Sequence, residues 1–135
     1  MGGSVGAVSA DVTLRFPAQP AYVVLARTAV AALAARADRT LDEIEDLRLA
    51  VGEACALLIA MAGPDAELEC VFTVDEPGAA GALSMRFSVE AEPGAAEPPA
   101  DDFAWLVLRE LAGDVSVRRD GDRVALALGA QRETV

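Results

Sequence analysis

The sequence predicts an α+β domain or mixed two-layer sandwich rather than a doubly wound parallel sheet. Three observations predict it. Several short stretches alternate apolar and polar residues, others repeat apolar residues every three to four positions, and the two kinds do not alternate strictly along the chain. The order runs strand, helix, long helix, strand, strand, loop, short helix, strand, strand. With 135 residues the chain suits one domain, here residues 11–130, between a small-residue leader (1–10) and a tail (131–135).

The first strand is 12–16, where Val12, Leu14 and Phe16 alternate with Thr13 and Arg15. Pro17 and Pro20 mark its exit, and Pro20 suits the first turn of a helix. Val23, Ala26, Val30 and Leu33 then recur at helical spacing, and this helix ends near 36–38. Thr40 followed by Glu43 is a capping box, and Asp42 and Glu45 favour the positive end of the helix that it opens. That helix reaches about Ala62 and stops at Gly63-Pro64, with a core stripe of Ile44, Leu47, Val51, Ala54, Cys55 and Leu58. Strands follow at 68–74 and 82–91 around a Pro/Gly loop at 77–81. After the loop 92–100, Asp101 or Asp102 can cap a short helix at 103–111 that Gly113 ends. Asp120-Gly121 is the turn of a closing hairpin between 115–118 and 123–128.

Composition narrows the function. Hydrophobic residues make up 53% and aromatics 4%, which predicts a core of Ala, Val and Leu without large aromatic anchors. The net charge of −11 opposes binding to a phosphate backbone; it suits either solubility or a partner with a basic surface. No histidine is present, which removes the commonest general base and metal ligand. Cys55 and Cys70 sit in apolar stretches without zinc-ligand spacing and read as small buried hydrophobes. No segment reaches the ~18 apolar residues of a membrane span, and residues 1–10 carry no positive charge before their small-residue run, so the expected location is the reducing cytoplasm.

Residues 16–22 (FPAQPAY) and 41–55 (LDEIEDLRLAVGEAC) resemble the RsbW/SpoIIAB anti-sigma kinases, and 103–128 resembles that family's closing helix and hairpin. The resemblance implies the Bergerat sandwich of histidine kinase-like ATPases: a mixed, mostly antiparallel sheet with three helices on one face. It also implies a homodimer that binds a sigma factor and is released by an anti-anti-sigma protein of the STAS type. Many members phosphorylate that antagonist on serine with ATP and Mg²⁺.

Carried onto this chain, the family's general-base Glu is Glu53, but its Mg²⁺-holding Asn is Leu57, which has no oxygen for a hard cation. The polar residue one turn later is Met61. The adenine-reading Asp falls at Ala91, or at Glu90 or Glu92 if the register slips by one, and Pro93 stands where a Gly belongs. The glycine pair that cradles phosphate at the closing helix is replaced around Asp102, Phe103 and Ala104, with an acid where an anion would sit. Three losses of roughly 1–3 kcal/mol each rival the ~8 kcal/mol of micromolar binding. ATP binding and kinase activity are therefore expected to be lost, as in the actinobacterial-type stress anti-sigma factors that the chain also resembles. Glu53 is then a vestigial base or a plain carboxylate.

The second apolar stripe of the long helix (Leu57, Ala60, Met61) either packs the cleft shut or lines a groove for a ligand or partner. Arg27 aligns with the family's partner-contacting Arg and is otherwise a solvated surface residue. Asp42, Glu43, Glu45 and Asp46 form a cap and solvated face, and Asp46 is the acid assigned to a basic sigma-factor surface. Phe103 and Trp105 read as core rather than partner contacts. An active serine kinase and a small-molecule-binding domain are the alternative functions.

Overall fold

The computed structural model describes residues 8–76, 83–95 and 103–130. Five strands form one sheet: β1 (Val8–Pro17), β2 (Glu67–Glu76), β3 (Leu83–Glu90), β4 (Asp114–Asp120) and β5 (Arg123–Ala130), in the order β1-β2-β3-β5-β4. Three helices are α1 (Val23–Arg36), α2 (Leu41–Ile59) and α3 (Phe103–Ala112). The predicted fold class is the one observed, refined at one point: every neighbouring pair of strands is antiparallel. The connections explain why. Two helices between β1 and β2 return the chain antiparallel. One helix between β3 and β4 would leave those strands parallel neighbours, but β5 lies between them.

Facing residues across the sheet share a side, so the register sorts them directly. Leu14, Cys70, Phe87, Leu126 and Val117 form one inward row, and Val12, Phe72, Met85, Leu128 and Val115 the next. The helices cover this face. The opposite face carries Arg15, Ser84, Arg86 and Ala127 and is open. Its cross-strand contacts are polar: Arg15 pairs with Glu69 at 2.9 Å, and the Thr73 hydroxyl donates to the Asp11 carboxylate at 2.8 Å.

The core is richer in aromatics than the composition suggests. Phe72 and Phe87 are fully buried and meet edge to face with ring centroids 6.0 Å apart. They anchor the sheet side, while the helices contribute small residues: Ala26, Val30 and Ala34 from α1, and Ala50, Val51 and Ala54 from α2. Such residues let helix backbones approach closely. Cys55 and Cys70 are both free and buried, as expected of small hydrophobes.

Pro20 does open the helical segment, but as a 3₁₀ turn, Pro20–Tyr22, that precedes α1. The α1–α2 turn is tightly specified. Arg39 N–H donates to the Ala34 carbonyl and Asp38 N–H to the Ala35 carbonyl, the two bonds of a Schellman ending, with Asp38 at φ 57°. The predicted capping box follows at once: the Glu43 amide donates to Thr40 Oγ1 at 3.1 Å, and the Thr40 amide to Glu43 Oε1 at 2.8 Å. The closing hairpin turns on Gly121 and Asp122, with Gly121 at φ 62°. The predicted 77–81 loop lies outside the described residues.

Candidate functional site

The central helix is α2, flanked by α1 and α3 and packed on the sheet. At roughly 100° per residue, Asp46, Glu53 and Leu57 fall on one stripe of α2, whereas Gly52 lies about 100° round the helix. Arg27 of α1 lies over Gly52: a Cβ on that glycine would sit 3.8 Å from Arg27 Cδ. The residues singled out from the sequence are therefore divided between two flanks. Glu53 and Leu57 share a stripe with Asp46; Arg27 stands on the other side.

On the first flank, Asp46 is exposed and Glu53 half-buried. Leu57 is half-buried and packs against the core, and Met61 is buried outright. Of the second apolar stripe, only Ala60 is exposed. The stripe is thus largely absorbed into packing.

The end of β3 is sewn shut by backbone bonds. Ala62 and Ala91 form an antiparallel bridge, with Gly63 N–H donating to the Glu90 carbonyl at 3.1 Å and Glu92 N–H to the Met61 carbonyl at 2.9 Å. The Ala91 amide donates to the Asp122 carbonyl at 2.7 Å. Ala91 is buried, whereas Glu90 and Glu92 are exposed. Neither acid of the slipped register is buried at this strand end. Beyond it, Arg119 of β4 donates to the Ala95 carbonyl at 2.7 Å and ties that residue to the strand.

Asp102 lies outside the described residues. Phe103 and Ala104 open α3, and their side chains are likewise outside the description. Trp105 is buried, as expected of a core residue, with the Arg109 guanidinium 5.6 Å from its ring centroid. Its indole N–H is buried without a hydrogen-bond partner among the described residues. Among the described residues no group of three or more Cys, Asp or Glu is arranged to hold a metal ion.

On the second flank, Arg27 is exposed, and among the described residues its guanidinium makes no ion pair or hydrogen bond. Val24, one turn before it on the same side of α1, is 57% exposed, whereas Leu25, 50% exposed, lies about 160° round the helix from Arg27. Sequence reasoning found Arg27 but not its glycine seat; a glycine inside a predicted helix was the available signal. It also missed the Ala62–Ala91 bridge, which has no local signature. A groove of roughly 960 Å³ lies elsewhere, on the open sheet face and the adjoining 63–66 loop, lined by Arg15, Glu67, Glu69, Glu90 and Arg123. It is remote from the Glu53–Leu57 stripe, and its position is no guide to that chemistry. No helix among the described residues is long and apolar enough to cross a membrane.

Residues 16–128 match the histidine kinase-like ATPase domain. The chain is 36% identical over 112 residues to the anti-sigma-F factor RsbW of Mycobacterium tuberculosis, covering 82% of this chain and 62% of that protein. It is 48% identical over 44 residues to the serine-protein kinase RsbW of Bacillus subtilis, covering 33% of this chain and 28% of the kinase. A kinase of the same name in Listeria monocytogenes is 46% identical over 43 residues, 32% of this chain and 27% of the kinase. The chain thus spans less than two thirds of the length of these curated relatives. A five-stranded antiparallel sheet under three helices, joined to a domain match that runs from Phe16 to Leu128, places the chain in the histidine kinase-like ATPase family, with RsbW proteins among its relatives.

Proposed function

We propose that this chain is an anti-sigma factor that holds an alternative sigma factor by direct docking and yields it to a STAS-type antagonist in a stress-response partner switch, without using ATP. The observation that carries the docking is Arg27: an exposed arginine whose guanidinium has no partner among the described residues, with exposed Val24 one turn before it on the same side of α1. Arginine beside aliphatic surface is the composition of an energetic centre at interfaces. The relatives named for anti-sigma activity and for serine kinase activity supply the two functions to choose between.

Passive docking is favoured over phosphoryl transfer by the nucleotide positions. ATP and Mg²⁺ fit them poorly. Leu57 offers a packed hydrocarbon where a metal-holding amide belongs, and a hard cation takes oxygen ligands. Ala91 offers a buried methyl where a carboxylate would read adenine. Asp102 and Ala104 replace the glycines that would cradle phosphate. Glu53 keeps its carboxylate but has no metal-held phosphate to act on.

Release of the sigma factor then depends on relative affinities and on modification of the antagonist. Two copies of the chain form the working unit, in the cytoplasm, with no direct contact to nucleic acid or membrane. The decisive experiment is affinity purification from the native cell, followed by titration of the recovered, purified sigma factor. Arg27→Glu is expected to weaken that complex tenfold or more; equal affinity for both proteins would count against the assignment.

A serine kinase remains the second reading because Glu53 stands half-exposed on the Leu57 stripe. Transfer of labelled phosphate from ATP to the antagonist would establish it.

A further inference from the structure

We infer that Gly52 is the positioning residue of the docking surface: lacking a side chain, it leaves open the seat on α2 in which the Arg27 stem lies, and so sets where the guanidinium is offered to a partner carboxylate. This rests on the assignment of Arg27 to partner docking.

Gly52 is out of place by local rules. It stands inside a 19-residue helix, away from any turn, with no positive φ to require it. A glycine there weakens a helix relative to alanine. Its surroundings do not demand glycine over alanine; they limit how large a side chain position 52 can carry. A Cβ at this position would meet a single neighbour within 4 Å, Arg27 Cδ at 3.8 Å. That is ordinary contact, so a methyl fits. Any longer side chain competes with the Arg27 stem for the same volume.

The seat matters because the guanidinium has no internal partner to orient it. Among the described residues Arg27 forms no ion pair, not even with Glu53, the next residue after its seat. With no polar partner to fix the head, the space left open at position 52 is what sets where the stem can lie. Arg27 is exposed, so its charged head stays in water while the stem passes the open position on α2. A preordered arginine loses less freedom on binding and presents its planar fork for bidentate pairing with a carboxylate. The α1–α2 turn, held by the Schellman ending at Asp38 and the capping box at Thr40, keeps the two helices in register for this contact.

The test uses the purified sigma factor recovered with the wild-type chain, titrated against Gly52→Ala, Gly52→Leu, Arg27→Ala and the Arg27→Ala/Gly52→Leu double variant. Gly52→Ala is expected to bind within twofold of wild type and to melt about 3 °C higher. Gly52→Leu is expected to bind about tenfold more weakly, yet to add less than twofold in the Arg27→Ala background, because the residue it displaces is already gone. A partner-free measurement stands beside these: a nuclear Overhauser contact between Gly52 Hα and Arg27 Hδ in the wild-type protein. Absence of that contact would overturn the seat, whatever the variants do. Equal losses from Gly52→Leu with and without the Arg27 side chain would also overturn it, by showing that the partner touches position 52 directly. If Arg27→Ala weakens binding and Gly52→Leu does not, the seat fails and the docking role of Arg27 stands. If Arg27→Ala has no effect, both fail.

Discussion

Cys55 and Cys70 meet in the core, where α2 packs over β2. The Cys55 thiol is held far above its ordinary range, first by its hydrogen bond with Cys70 and second by burial. The sign of the consequence is fixed. The folded state keeps the neutral thiol, while the unfolded chain ionises near pH 8.5. Below that pH both states hold the proton and this group adds no pH dependence. Above it the unfolded state alone releases the proton, so stability falls with rising pH by about 1.4 kcal/mol per unit from this group. Urea melts between pH 7 and 10 are expected to show the decline, and Cys55→Ala to flatten it. A wild-type profile that stays level to pH 10 would contradict the placement of this thiol.

The turn between α1 and α2 carries two devices of opposite quality. Thr40 is a well-formed cap, and Thr40→Ala removes the acceptor for the Glu43 amide; a loss of about 1 kcal/mol is expected. Asp38, by contrast, sits at φ 57°, a conformation that glycine adopts without the Cβ penalty. Asp38→Gly is therefore expected to stabilise the chain by a few tenths of a kcal/mol to about 1 kcal/mol. Chemical denaturation of the two variants checks both signs together. The contrast also shows what a sequence discloses at this scale. The capping box, the α2 stripe and the strand alternation were legible because each is a pattern of neighbours along the chain. The Schellman ending was not, since its usual glycine is an aspartate. Nor was the 3₁₀ turn at Pro20–Tyr22, because a proline at a helix start announces the start and not its pitch.

At the scale of the whole molecule, the fold class was legible from element order, but the strand order was not. Placing β5 between β3 and β4 is a matter of long-range hydrogen bonding with no local trace. The same holds for the Ala62–Ala91 bridge, which ties the end of α2 to the end of β3. That bridge bears on whether a nucleotide site can be recovered. If Leu57 were the only defect, Leu57→Asn would restore ATP binding. Leu57, however, packs against the core, while Ala91 is buried in a strand end tied to Ala62 and Asp122. On the assignment proposed for Ala91, Asp102 and Ala104, an asparagine at position 57 would supply a metal ligand but neither an adenine reader nor a phosphate cradle. It would also bring a polar amide into a partly apolar setting, at a cost of roughly 1–2 kcal/mol. Leu57→Asn is thus expected to lower the melting temperature by several degrees and to give no calorimetric signal with ATP and Mg²⁺ at micromolar concentrations. A variant that binds ATP in that range would make Leu57 the sole barrier, and the chain a kinase scaffold one residue from working order.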